Sequence, residues 1–463
     1  MTNTMMRAHV GAGADVIEKP SLSADTDLSV IAQHMYVLMM RNITSDGYII
    51  NDPTNGAASR PGCVIAAPSY PRHTPGVDQD YVFNWVRDAA IAAMELAAAH
   101  VPDAHVGGLQ ALLDYVGFAR LCQQNAQPTL GHACFTVDGQ PRPWTEQSDG
   151  PALQTLAVLR AYDRLDPPTK AVADELIRLN LDYLLAEYKN PTTNLWEEHS
   201  GRSFFARSVQ LRCFREIAAN TLGIPVPAGV DAAAAWLTDA LGRHWNGTCY
   251  VSMLAPPAPG DAGLPALPTS AGYDPNIDIV CACIYGAVAP TDPKLLASAA
   301  RLRQQWEDPA SPVFYPINGD DKGRGLGPLL GRYPGDTYDG DMQDAQRGDH
   351  PWALCTCNFA ELYYRVAAAI DAGGLVPFDD GISREFFAQI GIAANAGADQ
   401  AAGLLRAAGD RMLRAVVFHS DHLELSEQFD GVSGYEKSVT NLTWSYAAFL
   451  SAVRAGTGRA VAG

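Results

Sequence analysis

The sequence predicts an all-α fold, and three observations support this prediction. Apolar residues recur mainly at the spacing of one helix face, whereas the apolar–polar alternation of half-buried strands is scarce. Hydrophobic residues make up 47% of the 463 residues, which is enough for a large core, and a charged fraction of 18% argues against disorder. There are about a dozen periodic segments of about 10–20 residues each, as in helical bundles and barrels.

Thirteen segments are predicted to be helices. They are residues 28–43, 87–100, 107–124, 151–163, 169–187, 203–221, 230–243, 275–287, 293–306, 351–371, 383–393, 396–416 and 441–455. Thr440 and Asn441 are predicted to cap the last helix, because short polar side chains accept hydrogen bonds from its first free amides.

Long connections rich in glycine, proline, aspartate and aromatic residues separate these helices. They cover residues 45–86, 125–150, 188–202, 245–273, 307–350 and 417–440. Loops of this length tend to carry function in compact domains. They recur after about every second helix, as they would on one face of a barrel of helix pairs. The proline-rich segment Ala255–Pro268 is either a linker or a surface excursion, and helices of the same character on both sides favour the excursion.

The charge of the chain restricts its partners. Its net charge of −18 repels nucleic acid and anionic membranes but accepts a neutral ligand such as a sugar. No segment approaches the ~18 consecutive apolar residues of a membrane-spanning helix. Nine cysteines, an odd number spread through apolar stretches, indicate reduced buried thiols rather than a disulfide framework. The N-terminus lacks the apolar core of a signal peptide, which favours a cytoplasmic location, whereas secretion requires that the chain be a mature form.

Two acidic stretches are the strongest functional signal. The first places Glu197 and Glu198 beside Trp196, and the second places Glu427 in a polar run. Two carboxylates on opposite sides of a scissile bond are the usual machinery of glycoside hydrolysis. Packing near Trp196 is expected to raise the pKa of a general acid, whereas polar neighbours are expected to keep Glu427 ionised as a general base. Taken alone, the Glu197–Glu198 pair is more typical of a solvated surface loop, and the stretch around Glu427 is a weak signal.

A second cluster lies before the helix predicted at 87–100. Tyr81, Trp85, Arg87 and Asp88 lie within one short segment. An Arg–Asp pair can donate to and accept from neighbouring sugar hydroxyls, while Trp85 supplies a stacking surface. Asp88 is equally well explained as a helix-cap or first-turn acid that Arg87 neutralises. The segment alone does not separate these two interpretations.

Other connections contain similar mixtures of charged and aromatic residues. Trp144 and Asp149 close the connection at 125–150, where Asp149 is either a helix cap or a ligand contact, with the cap favoured. Arg332, Tyr338 and Trp352 lie in or next to the connection at 307–350. The acids that follow Arg332 do not have the spacing of a calcium loop, and no metal or cofactor is predicted.

Taken together, these segments resemble glycoside hydrolase family 15, the family of the glucoamylases, in the order in which the family has them. The matching motifs are Tyr-x-Phe-x-Trp-x-Arg-Asp at 81–88, Asp-Gly-Pro-Ala-Leu at 149–153, Leu-Trp-Glu-Glu with Gly-x-Ser-Phe-Phe at 195–205, Gly-Arg-Tyr-Pro-x-Asp-x-Tyr at 331–338, Pro-Trp-x-Leu-Cys-Thr at 351–356, Glu-Gln-Phe at 427–429 and Leu-Thr-Trp-Ser-Tyr-Ala-Ala at 442–448.

The resemblance implies an (α/α)6 barrel and an inverting, exo-acting hydrolase that releases β-D-glucose from α-1,4-linked glucans or malto-oligosaccharides. Glu197 is similar to the general acid of the family and Glu427 to its general base, while Asn194 stands where fungal members commonly have aspartate. The candidate substrate-binding residues are Tyr81, Trp85, Arg87, Asp88, Trp144, Asp149, Trp196, Glu198, Arg332, Tyr338, Trp352 and Trp444.

The predicted organisation is a single catalytic domain at residues 23–456. An N-terminal extension at 1–22 and a C-terminal tail at 457–463 flank it, with no starch-binding domain. The expected partner is a glucan, and a monomer that binds neither nucleic acid nor membrane is expected.

Two alternative functions stay open at this point. A relative of the same family would act on α-1,6 glucans or on trehalose. A catalytically silent sugar-binding protein would be a different class, but the presence of both candidate carboxylates speaks against it, because binding does not need a separated acid and base.

Overall fold

A computed structural model of the protein describes residues 27–53, 55–68, 80–99, 108–254, 273–340, 348–373, 378 and 381–458. The predicted extension at 1–22, the segment Ala255–Pro268 and most of the predicted tail lie outside the described residues. Within the described ranges, no helix is long and apolar enough to cross a membrane.

Fourteen α-helices are present in the described part of the chain. They are α1 (Leu28–Met40), α2 (Val86–Ala98), α3 (Gly108–Asn125), α4 (Asp149–Ala161), α5 (Pro167–Glu187), α6 (Phe204–Ala218), α7 (Val230–Gly242), α8 (Asp278–Ile284), α9 (Pro293–Glu307), α10 (Pro316–Gly323), α11 (Ala353–Asp371), α12 (Arg384–Ala388), α13 (Ala398–His419) and α14 (Thr443–Thr457).

Twelve of these helices form two concentric rings. The inner ring consists of α2, α4, α6, α8, α11 and α14, each packed against the next, and α14 returns to α2 and closes the ring. Outside it, α1 packs on α14, α3 on α2, α5 on α4, α7 on α6, α9 on α8 and α13 on α11. This arrangement is an (α/α)6 barrel, and it confirms the predicted fold class.

The burial pattern follows from the position of each helix in the rings. The outer helix α5 buries one face, whose residues are three or four positions apart and include Ala173, Leu176, Ile177 and Leu184. An inner helix is covered on both sides, and every residue of Val86–Leu96 in α2 is buried. A helix enclosed in this way has no solvent-exposed face, so even its charged residues Arg87, Asp88 and Glu95 are buried.

Seven short strands occur in the described connections. They are β1 (Asn84–Trp85), β2 (Cys134–Phe135), β3 (Thr192–Thr193), β4 (Ser200–Ser203), β5 (Met253–Leu254), β6 (Gln428–Phe429) and β7 (Glu436–Lys437). They pair antiparallel as β1–β2, β3–β4–β5 and β6–β7. None exceeds four residues, in agreement with the scarcity of alternating segments, and they fix the loops in front of the inner helices.

The predicted cap of the last helix is wrong. Helix α14 begins at Thr443 after Leu442, and Asn441 has a left-handed backbone at φ 59°. The side chain of Asn441 is engaged elsewhere, because its Oδ1 accepts from Tyr446 Oη at 2.5 Å and its Nδ2 donates to Glu424 at 3.0 Å. These bonds hold Asn441 outside the helix.

Three further helices differ from their predictions, and one of them, α12, ends at Ala388 instead of continuing to 393. Helix α8 ends at Ile284 instead of continuing to 287, and the amide of Ala287 donates to Ser208 Oγ at 2.9 Å. Helix α10 was not predicted, because its short polar sequence carries no apolar period. A tertiary contact thus accompanies the early end of α8, and α10 is too short and polar to give a periodic signal.

Candidate active site

A cavity of about 370 Å³ lies at the end of the barrel where the inner helices begin. Helix α2 contributes Arg87 and Asp88 from its first turn, and α14 contributes Trp444. Trp352 directly precedes α11. All the predicted site residues except Asp149 line this cavity.

The first acidic stretch forms the loop between β3 and β4, and Glu197 has a left-handed backbone there at φ 64°. Its Oε1 accepts a hydrogen bond from Arg87 Nη2 at 3.1 Å, and its Oε2 accepts one from Trp144 Nε1 at 2.5 Å. The amide of Glu197 donates to the carbonyl oxygen of Asn194 at 3.1 Å. A non-glycine residue adopts this backbone conformation only when its surroundings impose it.

Glu198 points to a different set of partners from those of Glu197. Arg332 Nη2 donates to Glu198 Oε1 at 2.7 Å, and the hydroxyl of Tyr333 lies 2.9 Å from both carboxylate oxygens. Arg332 is itself held by Asp336, which accepts from Nε and Nη2 at 2.7 Å each. Burial raises the pKa of Glu198, and the Arg332 cation opposes this rise.

Arg87 is the centre of a buried charge network. Its guanidinium lies 3.4 Å from Asp88, 3.7 Å from Asp149 and 3.1 Å from Glu197. Nη1 also donates to Gln147 at 2.9 Å. Burial is the main cause that raises the pKa of Asp88 to about 6.

The favoured interpretation of Asp149 as a helix cap is wrong. Asp149 is the first residue of α4 itself, and Ser148 occupies the capping position without a side-chain hydrogen bond. The buried Asp149 carboxylate lies beside Arg87, which separates it from the cavity. Asp149 therefore supports a cavity residue rather than lining the cavity.

The second acidic stretch directly precedes β6 and places Glu427 among hydroxyl groups. Tyr81 donates to Glu427 Oε1 at 3.0 Å, and Tyr338 donates to Oε2 at 3.1 Å. The hydroxyl of Ser438 donates to the same Oε2. Burial raises the pKa of Glu427, and these three hydrogen bonds lower it. The polar run with Gln428 and Asp430 was expected to keep the carboxylate ionised. The hydrogen bonds that favour ionisation come from other residues, and the larger effect of burial raises the pKa against that expectation.

Five tryptophans line the cavity, namely Trp85, Trp144, Trp196, Trp352 and Trp444. Trp196 and Trp444 are nearly parallel, with an interplanar angle of 24° and ring centroids 6.4 Å apart. Trp196 and Trp352 lie at 5.9 Å, and Trp85 contacts Tyr81 at 5.7 Å. Trp196 Nε1 donates to Asn276 at 3.0 Å, which fixes the ring. Aromatic faces beside hydrogen-bonding charged groups suit a sugar, which has apolar C–H faces and a hydroxyl rim.

Several residues of the site were missed by sequence reasoning. Asp80 and Arg142 line the cavity, and the Arg142 guanidinium lies 4.6 Å from the Trp144 ring centroid. Ser438 lies in a separate turn from Glu427 and carries no local signal. Tyr333 is part of the motif at 331–338, and its position next to Arg332 was the available signal.

The structure also bears on metal and cysteine chemistry. Within the described residues, no group of three or more histidine, cysteine or acidic side chains is arranged to hold a metal ion. All nine cysteines are buried and unpaired, in agreement with the prediction of reduced thiols.

The barrel, its aromatic cavity and the carboxylates within it define a glycoside hydrolase. The family model "Glycosyl hydrolases family 15" matches residues 34–454, and the chain belongs to this family. Recognition of the family from the sequence motifs is thereby confirmed.

Curated relatives are similar along most of the chain. The probable glucoamylase of Schizosaccharomyces pombe is 26% identical over 444 residues, which cover 90% of this chain and 88% of the relative. The glucoamylase of Blastobotrys adeninivorans is 28% identical over 453 residues, which cover 87% of this chain and 68% of the relative.

Solved structures show the same fold. The glucoamylase of Hormoconis resinae has a TM-score of 0.73 at 25% identity, covering 93% of this chain and 73% of that chain. The glucoamylase of Saccharomycopsis fibuligera has a TM-score of 0.74 at 21% identity, covering 95% of this chain and 96% of that chain.

Proposed function

We propose that this protein is an exo-acting, inverting hydrolase that releases β-D-glucose from the non-reducing ends of α-1,4-linked glucans. The observation that carries the proposal is that Glu197 and Glu427 line one cavity in different surroundings. A cation and an indole N–H hold Glu197, whereas hydroxyl groups surround Glu427. Different surroundings are what two carboxylates need in order to take different roles.

The two carboxyl groups divide the proton transfers of hydrolysis. Glu197 protonates the glycosidic oxygen as the bond to the anomeric carbon breaks. Glu427 takes a proton from a water molecule that attacks this carbon from the opposite face. An inverting enzyme keeps its two carboxyl groups about 6.5–9.5 Å apart to leave room for this water.

The other cavity residues bind the terminal sugar. Arg87 and Asp88 offer a donor and an acceptor to neighbouring hydroxyls, and Arg332 with Glu198 offers a second such pair. The tryptophan walls pack on the sugar faces. A cavity of about 370 Å³ in the end of a closed barrel suits a chain end better than the middle of a chain, which supports exo action.

Proton NMR of the protein with maltotriose, isomaltose and trehalose in separate tubes tests the proposal. We expect β-glucose to appear first in the maltotriose tube. Release from only isomaltose or only trehalose would reassign the linkage to one of the alternative substrates. Early α-glucose in the maltotriose tube would contradict the roles of Glu197 and Glu427.

The variant Glu427→Gln separates an enzyme from a silent sugar-binding protein. Hydrolysis should fall about 10²–10⁴-fold, because a typical general base contributes this much. Binding of glucose, measured by tryptophan fluorescence, should change far less. No turnover by the unmodified protein on any of the three sugars would favour the binding protein.

A further inference from the structure

A second cavity, of about 240 Å³, lies on the outside of the barrel. It is bounded by the outer helices α9 and α13 and by α10, and it shares no lining residue with the active-site cavity. Its charged lining residues are Arg303, Glu307, Lys322 and Arg411. The glycosidase reaction uses none of these residues.

The charges of this cavity do not balance. Glu307 neutralises Arg303, with bonds of 2.6 Å to Nε and 2.9 Å to Nη2. Lys322 and Arg411 have no ion pair with any acid that the structure describes. Two uncompensated cations therefore face one small cavity in a chain whose net charge is −18. A local positive potential of this kind attracts a small anion.

One residue that lines the cavity carries an unused hydrogen-bond acceptor. Gln389 Nε2 donates to the carbonyl oxygen of Ala300 at 2.9 Å, which orients the amide. Gln389 Oε1 is buried and has no hydrogen-bond partner within the described residues. A buried acceptor without a partner is costly, so a donor from a ligand or water is expected there.

A glycine-rich loop forms one wall of the cavity. The amide of Gly327 donates to the carbonyl oxygen of Arg411 at 2.9 Å. A Cβ atom at Gly327 would lie 2.7 Å from the backbone nitrogen of Met412, so only glycine allows the loop to lie against α13. The packing thus holds the backbone of Arg411 beside the cavity.

We propose that this cavity binds a small ligand that carries a phosphate group. Lys322 and Arg411 hold the phosphate oxygens, and Gln389 Oε1 accepts a hydrogen bond from a hydroxyl of the ligand. The volume is below the ~300–1,000 Å³ of cavities for drug-sized ligands, which restricts the ligand to a small molecule. Aromatic rings are absent from its described lining, which disfavours a neutral sugar. Inorganic phosphate and a hexose phosphate share the required chemistry.

Isothermal titration calorimetry on the full chain tests this proposal, with inorganic phosphate, glucose 6-phosphate and glucose as probes. We expect saturable binding of at least one phosphate compound and none of glucose in this cavity. Tighter binding of glucose 6-phosphate than of phosphate would identify the hydroxyl contact. Because glucose also enters the active site, its titration is repeated on the double variant described below, and an unchanged signal assigns glucose binding to the active site.

The double variant Lys322→Gln, Arg411→Gln should bind phosphate at least about tenfold more weakly, since each charge-assisted hydrogen bond contributes this much. Lys189→Gln with Arg202→Gln removes the same charge from exposed positions elsewhere and should bind as the unmodified protein does. Both variants should release glucose from maltotriose normally, which shows that they fold. Absence of saturable binding, or equal loss in both variants, would overturn the proposal.

Discussion

Arg87 Nη2 donates to Glu197 Oε1 at 3.1 Å, and the same guanidinium lies 3.7 Å from Asp149 on the side away from the cavity. The other oxygen of Glu197 accepts from Trp144. The two oxygens of the proposed general acid are thus held by donors from helix α2 and from the connection that contains Trp144, and its backbone is held in a left-handed turn. Orientation of this kind is what positions a catalytic proton.

The first prediction concerns the role of Glu197. Glu197→Gln should lower kcat on maltotriose about 10²–10⁴-fold, because glutamine cannot donate a proton to the leaving oxygen. The same variant should lose much less activity on α-D-glucosyl fluoride, since fluoride leaves without protonation. Steady-state release of glucose and of fluoride measures the two effects. Equal losses on both substrates would contradict an acid role.

Ser438 provides a second prediction, about the pH profile. Its hydroxyl donates to Glu427, and this bond lowers the pKa of the carboxyl group. Ser438→Ala should therefore raise that pKa. Because a general base works in its ionised form, the acidic limb of the kcat/KM profile should move to higher pH. The value of kcat/KM at acidic pH should therefore fall, while its value near neutral pH should change less.

The matched control for Ser438 lies in the same hairpin. Ser433 donates to Asp430 Oδ1 at 2.8 Å, at a more exposed position. Ser433→Ala removes an equivalent hydroxyl–carboxylate bond away from the cavity, and the acidic limb should stay in place. If the acidic limb moves by the same amount in both variants, the cause would be a general loosening of the hairpin rather than the loss of the bond to Glu427.

How much of the fold was predictable depended on the length and periodicity of each element. The outer helices have one apolar face, and segments such as 169–187 were located to within a few residues. Short helices were not located as well from the sequence. Helix α10 has no apolar period, and α8 ends where Ala287 contacts Ser208. Tertiary contacts that begin or end a helix leave no trace in its own sequence.

The site was predictable for residues that lie in distinctive local motifs. Glu197, Arg332 and Trp352 stand beside aromatic or charged neighbours, and the motifs mark them. Arg142 and Ser438 reach the site through the tertiary fold from otherwise ordinary segments. Asp149 was favoured as a helix cap, but it is the first residue of α4 and lies beside Arg87, a contact that sequence spacing alone does not reveal.

A third prediction concerns stability against pH. Asp278 is fully buried, and burial raises its pKa to about 8. The folded state therefore keeps a proton that the unfolded chain loses near the ordinary pKa of 3.8. The free energy of unfolding should fall as pH rises through this window, by on the order of a few kcal/mol.

Asp278→Asn tests this pH dependence. Asparagine resembles the protonated acid and still accepts a hydrogen bond from Ser252. The variant should gain stability relative to the unmodified protein as pH rises from about 4 to 8. Chemical denaturation at several pH values measures the gain. The exposed Asp399→Asn is the control, and its free energy of unfolding should differ from that of the unmodified protein by an amount that does not grow with pH. If the difference for Asp278→Asn is also constant with pH, the predicted pH dependence is contradicted.

A fourth prediction concerns Asn194, which stands where fungal members of the family commonly have aspartate. It is fully buried, its Oδ1 accepts from the amides of Glu198 and His199 at 2.8 and 3.0 Å, and its Nδ2 donates to Tyr273. Asn194→Asp keeps both acceptor contacts and lets the tyrosine hydroxyl turn to donate. It adds a negative charge beside the loop of the proposed general acid.

A like charge nearby raises the pKa of a carboxyl group, because it disfavours ionisation. A general acid works in its protonated form, so the basic limb of the kcat/KM profile should move to higher pH in Asn194→Asp. Asn190→Asp adds the same charge at an exposed position near the end of α5, and it should leave the limb unchanged. Measurement of kcat/KM on maltotriose as a function of pH, for both variants, tests this prediction. A displacement to lower pH, or an equal displacement in both variants, would show that Asn194 does not act through its charge on the acid.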